Sequence, residues 1–360
     1  MIPIHLGVLS KIRTIIDKLR TIQKHILFYK KDKHLLKEHD YPIITRQELQ
    51  QIRDAWPCFK YYGQKDLTWF RIYKKEHGFS PYFIDALQIK YVLEKTNPLN
   101  QFVALVNKAL CDVYLPEIPF PKVYVRKLNG SFFDGQMNYL TLSDAVDYLT
   151  GLKEFIVKPA LDTKGGVGVK KVVVDKLTFG KKEIEQILGG VGENAVVQEV
   201  LCQEAKMSAM NPTSINCCRI TTLYINGKFG FSSILKVGKM GSKVDNWNSS
   251  YFIGMNKDGS LLPYGYDNKL NKVALTDNGI IFEGVQVPFF DKMVELTEKC
   301  HKKLFPNCGI IGWDIMVDND TNPRVIETNI LRTGVVGEQL ASGTFFEEFR
   351  DIICEKLMKK

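Results

Sequence analysis

The chain has 360 residues, of which 45% are hydrophobic and 25% charged, and its formal net charge at pH 7 is +9. This is the composition of a globular protein with about two or three subdomains, and it argues against intrinsic disorder. No apolar run approaches the roughly 18 residues of a membrane-spanning helix, and the first ten residues do not resemble a signal peptide. We therefore expect a cytoplasmic protein, whose charge permits an acidic partner without identifying one.

The eight cysteines and six histidines show no metal-binding pattern. There is no Cys-x-x-Cys pair, and the histidines lack the spacing of zinc ligands. We expect buried, free thiols and no zinc site.

Residues 1–98 are predicted to be helical. From Leu9 to Lys37, apolar residues recur at helical spacing among many basic residues, which predicts a basic amphipathic helix. Such a helix either packs on the protein body or docks on an anionic membrane surface or on a partner acting there, and both alternatives stay open. From Arg46 to Asn97 the helical pattern continues with many aromatic residues. We assign these to core packing and expect no nucleic-acid partner, because no nucleic-acid-binding motif accompanies them.

A subdomain of residues 99–153 is predicted to follow. Gln101 to Leu110 has the pattern of a helix that carries Lys108. Prolines then lead into a strand from Lys122 to Lys127.

Residues 154–201 are predicted to contain a hairpin around a glycine-rich loop. One strand ends at Lys158, and the next begins at Lys170. This strand–loop–strand order matches neither a P-loop nor a Rossmann turn. Glycines still allow backbone N–H groups to approach phosphate closely, and Lys158 and Lys164 would neutralise its charge. The alternative is a plain flexible turn.

Residues 202–360 form the last predicted subdomain. One strand begins at Arg219, the next carries Lys236, and a polar loop with Asp245 and Asn246 follows. Arg219 and Lys236 are either solvated or directed at a bound phosphate, and composition alone does not decide between these.

The segment up to Asn329 is predicted to be a strand–turn–strand hairpin. Alternating apolar runs, Trp313 to Val317 and Arg324 to Asn329, flank a turn-forming cluster. Pairing about the middle of that cluster places Asp314 opposite Glu327, with Asn329 on the same face. Two carboxylates and an amide oxygen suit Mg²⁺, which is usually shared with nucleotide phosphates. The alternative is a surface hairpin whose acids face solvent.

The order of these segments, from Gln101 to Phe349, resembles the ATP-grasp superfamily. Within it, the chain resembles the sugar-transfer-associated ATP-grasp group, which is related to glutamate ligases. The resemblance implies an α+β fold in which two subdomains grip ATP, preceded here by the helical region. It is carried by Lys108 in its predicted helix, Phe155-Ile156-Val157-Lys158-Pro159, Gly165-Gly166-Val167-Gly168-Val169, Val196-Val197-Gln198-Glu199-Val200, Ser214-Ile215-Asn216-Cys217-Cys218-Arg219, Val244-Asp245-Asn246-Trp247, and Gly312-Trp313-Asp314 with Ile326-Glu327-Thr328-Asn329.

The resemblance also implies roles for individual residues. The glycine loop would close over ATP, a hinge would read adenine through its backbone, and Arg219 would contact the γ-phosphate, with Lys158 and Lys236 also in the catalytic set. The implied ATP-binding residues are Lys108, Lys158, Lys164, Gly165, Gly166, Gly168, Gln198, Glu199, Val200 and Leu201. The implied ligands of one or two Mg²⁺ ions are Asp314, Glu327 and Asn329.

The chain departs from many ligases of the superfamily directly after Asn329. A proline- and glycine-rich substrate loop is replaced by Ile330-Leu331-Arg332-Thr333-Gly334, so the substrate is not carried over. Arg332 either grips an anionic acceptor or is structural. Asp245 and Asn246 are the other candidate substrate residues.

We expect an ATP-dependent carboxylate–amine ligase that forms an amide through an acyl phosphate, with a small-molecule or glycan carboxylate and an amine as substrates. The glycan setting comes from the resemblance alone. Two alternatives stay open. One is a sugar or polyol kinase with Asp245 as the candidate base. The other is a nucleotide-binding scaffold within a complex of glycan assembly enzymes, with the basic N-terminal helix as its docking element.

Overall fold

The computed structural model describes residues 32–37, 39–59, 67–161, 167–175, 179–242 and 248–358. Most of the predicted amphipathic helix lies outside these ranges. So do five candidate site residues, which stay predictions: Lys164, Gly165, Gly166, Asp245 and Asn246. In the described ranges, no helix is both long enough and apolar enough to cross a membrane.

The chain divides into two compact units, one of Met1–Val92 with Phe346–Lys360 and one of Leu93–Phe345. The helices in chain order are α1 (Arg46–Ala55), α2 (Thr68–His77), α3 (Ala86–Thr96), α4 (Cys111–Tyr114), α5 (Leu142–Thr150), α6 (Lys181–Gly190), α7 (Ala205–Met210), α8 (Phe290–Leu304), α9 (Val336–Ser342) and α10 (Arg350–Met358). The strands are β1 (Val123–Leu128), β2 (Ser131–Asp134), β3 (Tyr139–Leu140), β4 (Glu154–Pro159), β5 (Lys170–Val173), β6 (Ala195–Gln198), β7 (Cys217–Ile225), β8 (Lys228–Gly238), β9 (Ser250–Met255), β10 (Leu261–Tyr266), β11 (Lys272–Val273), β12 (Ile310–Val317) and β13 (Pro323–Asn329).

The first unit is helical where it is described, as predicted. Helix α1 begins with a capping box, in which Thr45 and Glu48 each accept a hydrogen bond from the other's backbone N–H. The predicted aromatic core is also present, since Trp56, Phe59 and Tyr73 are fully buried. All eight cysteines of the chain are free, but the expectation that they are buried is wrong for Cys202, which is exposed.

The second unit contains two antiparallel sheets. The six-stranded sheet has the order β3-β2-β1-β6-β4-β5, and α5 and α6 contribute to its hydrophobic core. Strands β4 and β5 pair with Phe155 opposite Val172, which confirms the hairpin predicted around the glycine-rich loop. Strand β4 also pairs with β6, so Lys158 at the end of β4 lies beside the strand that ends at Gln198.

The predicted helix from Gln101 to Leu110 is wrong. A 3₁₀ helix (Val103–Val106) is followed by an extended residue, Asn107, whose side chain accepts a hydrogen bond from the backbone N–H of Ala109. This local side-chain bond competes with helix continuation. Lys108 therefore lies in a turn, which is attached to the end of β4 by a hydrogen bond of 3.0 Å from its backbone N–H to the carbonyl oxygen of Ala160.

A buried arginine fixes this turn to the six-stranded sheet. Arg126 on β1 is fully buried, donates to both carboxylate oxygens of Asp112 at 2.7 and 2.8 Å, and also donates to the carbonyl oxygens of Ala109 and Gly135. A bidentate pair of this kind fixes orientation as well as distance. The chain at Lys108 is thus held by two hydrogen bonds, one from the backbone N–H of Lys108 and one to the carbonyl oxygen of Ala109.

The seven-stranded sheet has the order β11-β10-β9-β8-β7-β12-β13. One face packs on α8, where Trp313 and Ile220 join Phe290, Met293 and Phe305 in the core. The side chains that alternate with these along each strand point to the other face. Arg219, Asp314 and the other polar candidates occupy that second face.

Helix α9 lies very close to this second face at Gly254. A Cβ atom added there would overlap the carbonyl oxygen of Ala341 and lie 2.6 Å from Cδ1 of Leu262. We expect Gly254→Ala to lower the free energy of unfolding by about 1–3 kcal/mol, as overpacked cores do, because the helix backbone must shift. Urea titration measures this change. Gly189→Ala is the control, since the added methyl meets nothing within 4 Å in α6 and should be neutral or stabilising; equal destabilisation of both variants would contradict the expectation.

Candidate functional site

The hairpin of β12 and β13 brings three oxygen-bearing side chains together, and we call it the metal hairpin. Asp314 pairs with Glu327, as the sequence predicts, and Gly312 pairs with Asn329. Paired residues on antiparallel strands present their side chains to the same face. Nδ2 of Asn329 donates to Oδ2 of Asp314 at 3.3 Å.

Asp314 is buried between two cations, Arg219 on the adjacent strand β7 and Lys236 on the next strand, β8. Nε and Nη2 of Arg219 donate to its two carboxylate oxygens, each at 2.8 Å. Nζ of Lys236 lies 3.0 Å from Oδ1. Burial by itself would raise the pKa of Asp314, but the charges and hydrogen bonds of Arg219 and Lys236 outweigh burial and hold this pKa well below its ordinary value of 3.8.

Arg219 retains donor capacity after pairing with Asp314. A guanidinium carries about five N–H donors, and Asp314 takes two of them. In the described ranges, the remaining donors meet no acceptor. They suit the oxygens of a phosphate, because a guanidinium matches that geometry.

Two lysines in or next to the six-stranded sheet interact with Glu327, Lys108 as an ion pair and Lys158 through its charge. Nζ of Lys108 lies 3.6 Å from Oε1 of Glu327. The pKa of Lys158 is lowered from 10.5 to about 8, chiefly because burial penalises its charge; Glu327 opposes this shift and Lys108 adds to it. The site thus has lysines on one side and the metal hairpin on the other.

Sequence reasoning missed Glu338, a buried acid on α9. Oγ1 of Thr221, two residues beyond Arg219 on β7, donates to Oε1 of Glu338 at 2.7 Å, while Oε2 has no hydrogen-bond partner among the residues that the structure describes. Burial raises the pKa of Glu338 to about 8, although Arg219 and the Thr221 hydrogen bond lower it in part. The available sequence signal is weak, since Glu338 is merely the one charged residue between Arg332 and Glu347.

The predicted hinge, residues Gln198 to Leu201, follows the end of β6, and we call it the hinge segment. The backbone N–H of Glu199 already donates to the carbonyl oxygen of Lys122 at 2.9 Å. Within the described part of the chain, the N–H groups of Val200 and Leu201 donate to no partner. These two groups are therefore the donors that the hinge segment offers to a base.

Two other candidates differ in what the structure shows. Gly168 has a φ of +80°, and a Cβ atom there would lie 2.8 Å from Cγ of Pro159, so a side chain is excluded on two grounds. Arg332 is exposed, and no hydrogen bond or ion pair joins its side chain to another described residue.

The metal hairpin fits Mg²⁺ in ligand chemistry. In the described ranges, no three His, Cys, Asp or Glu residues cluster to hold a metal. The metal hairpin offers two carboxylates and one amide oxygen, and phosphate oxygens would complete the coordination shell of the ion. Arg219, Lys236 and Asn329 fill the roughly four lone-pair positions of Asp314. Of these three partners, Asn329 makes the longest contact, at 3.3 Å, and the thiol of Cys217 lies farther away, at 3.9 Å from Oδ1. Rotation of the Asn329 amide would free one lone-pair position on Asp314 and would make the amide oxygen of Asn329 available to the metal ion.

The two antiparallel sheets with their helices form an α+β ATP-grasp fold, as predicted. The chain belongs to the sugar-transfer-associated ATP-grasp family, whose model matches residues 87–350. No curated protein matches the sequence.

Several solved structures are distantly similar. D-alanyl-alanine synthetase A from Vibrio cholerae is 14% identical, with 71% of this chain and 66% of that chain covered and a TM-score of 0.42. An L-amino acid ligase from Bacillus licheniformis is 16% identical, with 72% and 50% covered and a TM-score of 0.41. D-cycloserine synthetase DcsG is 14% identical, with 73% of each chain covered and a TM-score of 0.42. The match thus spans half to two thirds of the first two proteins.

Proposed function

We propose that this protein is an ATP-dependent carboxylate–amine ligase. The observation that carries the proposal is the cluster of Arg219, Asp314 and Lys236, which faces Lys108 and Lys158 across Glu327. Four basic side chains surround two acidic ones, and this excess of basic groups suits a triphosphate. Family membership supports a ligase-like activity.

In the first step, an oxygen of the substrate carboxylate attacks the γ-phosphorus of ATP, the bond to the β–γ bridging oxygen breaks, and an acyl phosphate and ADP form. Positioning and charge neutralisation account for most catalysis of phosphoryl transfer. Lys108 and Lys158 would bind phosphate oxygens, and the free donors of Arg219 would bind the transferred group. Mg²⁺, held by Asp314, Glu327 and Asn329, would neutralise phosphate charge.

In the second step, the amine attacks the acyl carbon, phosphate leaves, and the amine nitrogen loses a proton. No nucleophile of the protein is required. The loop before Gly168 would cover the site, because water would otherwise hydrolyse the acyl phosphate. The hinge segment would bind adenine through Val200 and Leu201.

The finer assignments belong to the same proposal. We propose a small-molecule or glycan carboxylate and an amine as substrates, and a role in surface polysaccharide or glycoconjugate synthesis. We also propose that the protein is cytoplasmic and that its N-terminal region binds it to the inner surface of the membrane. The family description supports the link to sugars.

The test is ADP release by the purified protein with ATP and Mg²⁺, across a matrix of hexuronates and other carboxylates against amino acids and amino sugars. We expect release that requires one member of each group. Glu327→Gln should abolish it by removing a metal ligand, whereas Glu298→Gln, a change in an exposed pair with Lys302, should not.

Other products would contradict the ligase. Release of AMP and pyrophosphate would exclude the acyl-phosphate route. Amine-independent formation of a stable phosphorylated sugar would identify a kinase, and nucleotide binding without turnover over the whole matrix would indicate a scaffold.

A further inference from the structure

The hinge segment continues directly into main-chain contacts with the metal hairpin. The backbone N–H of Asn319, in the hairpin turn, donates to the carbonyl oxygen of Cys202 at 3.0 Å. The backbone N–H of Glu204 donates to the carbonyl oxygen of Val317 at 3.0 Å. The chain that leaves the hinge segment thus lies along the turn of the metal hairpin.

Arg324 joins three segments at one guanidinium. Its Nη2 donates to Oε1 of Glu199 in the hinge segment and, at 3.3 Å, to the carbonyl oxygen of Phe120. Its Nη1 donates to Oδ2 of Asp318 in the hairpin turn at 3.3 Å. Glu199 is fixed from a second side, because Oε1 also accepts from the backbone N–H of Lys122 at 2.7 Å.

This cluster is more than a surface ion pair. The side chains of Arg324 and Glu199 are only 20% and 24% exposed, and that of Asp318 is 8% exposed. Partly buried charges are screened less by salt than exposed ones. Arg324 lies on β13, three residues before Glu327, so one side chain connects Glu199, the residue before the proposed adenine-binding donors, to the strand that carries two of the proposed metal ligands.

We propose that Arg324 is a positioning residue that couples nucleotide binding at the hinge segment to metal binding at the metal hairpin. The inference rests on the proposed function. A nucleotide that orders the hinge segment also orders the metal hairpin through Arg324. Mg²⁺ then binds a site that is already arranged, and by linkage it strengthens nucleotide binding by the same factor.

The experiment measures the affinity of the full-length protein for ADP by calorimetry, with Mg²⁺ and with EDTA. The quantity of interest is the ratio of the two dissociation constants. Formation of Mg·ADP in solution is common to all variants, so it cancels when ratios are compared. We expect Arg324→Gln to reduce the ratio by roughly threefold to tenfold, the range in which residues between two sites alter their coupling.

Two further variants make the result specific. Glu199→Gln removes the charge that Arg324 meets but keeps an acceptor for Lys122, and it should reduce the ratio in the same direction even if Arg324→Gln fails to fold. Arg350→Gln is the control, since Arg350 pairs with the exposed Asp351, and its ratio should equal that of the wild type.

The outcomes are distinct. If Arg324→Gln and Glu199→Gln weaken ADP binding by the same factor with and without Mg²⁺, Arg324 is only structural and the inference is wrong, while the proposed function stands. If the wild-type protein binds ADP in neither condition, the proposed function fails and the inference fails with it.

Discussion

Asp314→Asn should be the most damaging conservative substitution in the chain. The change keeps the shape of the side chain but removes the negative charge that Arg219 and Lys236 share in a buried position. Breaking a buried ion pair by removing one partner costs about 3–5 kcal/mol, because the remaining charge is left uncompensated. We expect a loss of this size in the free energy of unfolding, measured by urea titration, and loss of measurable binding of Mg·AMP-PNP, because Arg219 is no longer oriented and a metal ligand is lost.

The pH dependence of the wild-type protein follows from the same contacts. The folded-state pKa of Asp314 is lower than its ordinary value of 3.8, so the unfolded chain binds a proton first as pH falls. The stabilisation that ionised Asp314 gives the folded state is complete well above pH 3.8, and it is lost as pH falls through and below this value.

Asp320→Asn is the matched control for Asp314→Asn. Asp320 lies in the turn of the same hairpin, and it is exposed. Its substitution should change the free energy of unfolding by less than about 0.5 kcal/mol, as surface changes usually do. Equal unfolding midpoints for the two variants would show that the charge of Asp314 contributes nothing, contrary to its contacts.

The metal hairpin is predictable from sequence because its signals are local. Strand alternation and a turn cluster set the register, so the pairing of Asp314 with Glu327 follows from short-range pattern alone. The glycine hairpin between β4 and β5 follows in the same way. In both cases the residues that decide the structure are neighbours in the chain.

The partners of Asp314 are not predictable in this way. Arg219 and Lys236 lie on strands that are distant in sequence, and only the order of β8, β7 and β12 in the sheet brings them to one carboxylate. Glu338 is a further case, because a single acid in a short helix gives no sequence pattern. Its importance appears only when α9 is placed over β7, where Thr221 meets it.

The predicted helix around Lys108 failed for a different reason. Its apolar spacing is helical, but the side chain of Asn107 accepts a hydrogen bond from the backbone N–H of Ala109. In addition, Arg126 on β1 donates a hydrogen bond to the carbonyl oxygen of Ala109. Local propensity was therefore overridden by one side-chain cap and one tertiary contact. A single sequence shows neither of them.

Lys158→Met should weaken binding of Mg·AMP-PNP by roughly tenfold to hundredfold at pH 7, the usual effect of losing a hydrogen bond to a charged group. Because the pKa of Lys158 is about 8 in the free protein, the lysine is largely charged at pH 7, and phosphate would raise its pKa further. Above pH 8 the complex must take up a proton, so wild-type affinity should fall by up to about tenfold per pH unit. Calorimetry between pH 7 and pH 9.5 measures this slope.

Stability should change in the opposite direction over the same range. The folded-state pKa of Lys158, about 8, is below its ordinary value of 10.5. Between these two values the unfolded chain binds a proton that the folded chain has lost, so Lys158 makes the protein more stable as pH rises. A loss of affinity accompanied by gained stability cannot be explained by general alkaline unfolding.

Lys158→Arg and Glu338→Gln separate the two groups that titrate near pH 8. A guanidinium stays charged throughout this range, so Lys158→Arg should remove the slope that is due to Lys158. Glu338, whose pKa is also about 8, becomes negative beside Arg219 as pH rises and would weaken phosphate binding in the same sense. If Lys158→Arg keeps the full wild-type slope and Glu338→Gln abolishes it, the pH dependence belongs to Glu338, and the assignment to Lys158 is wrong.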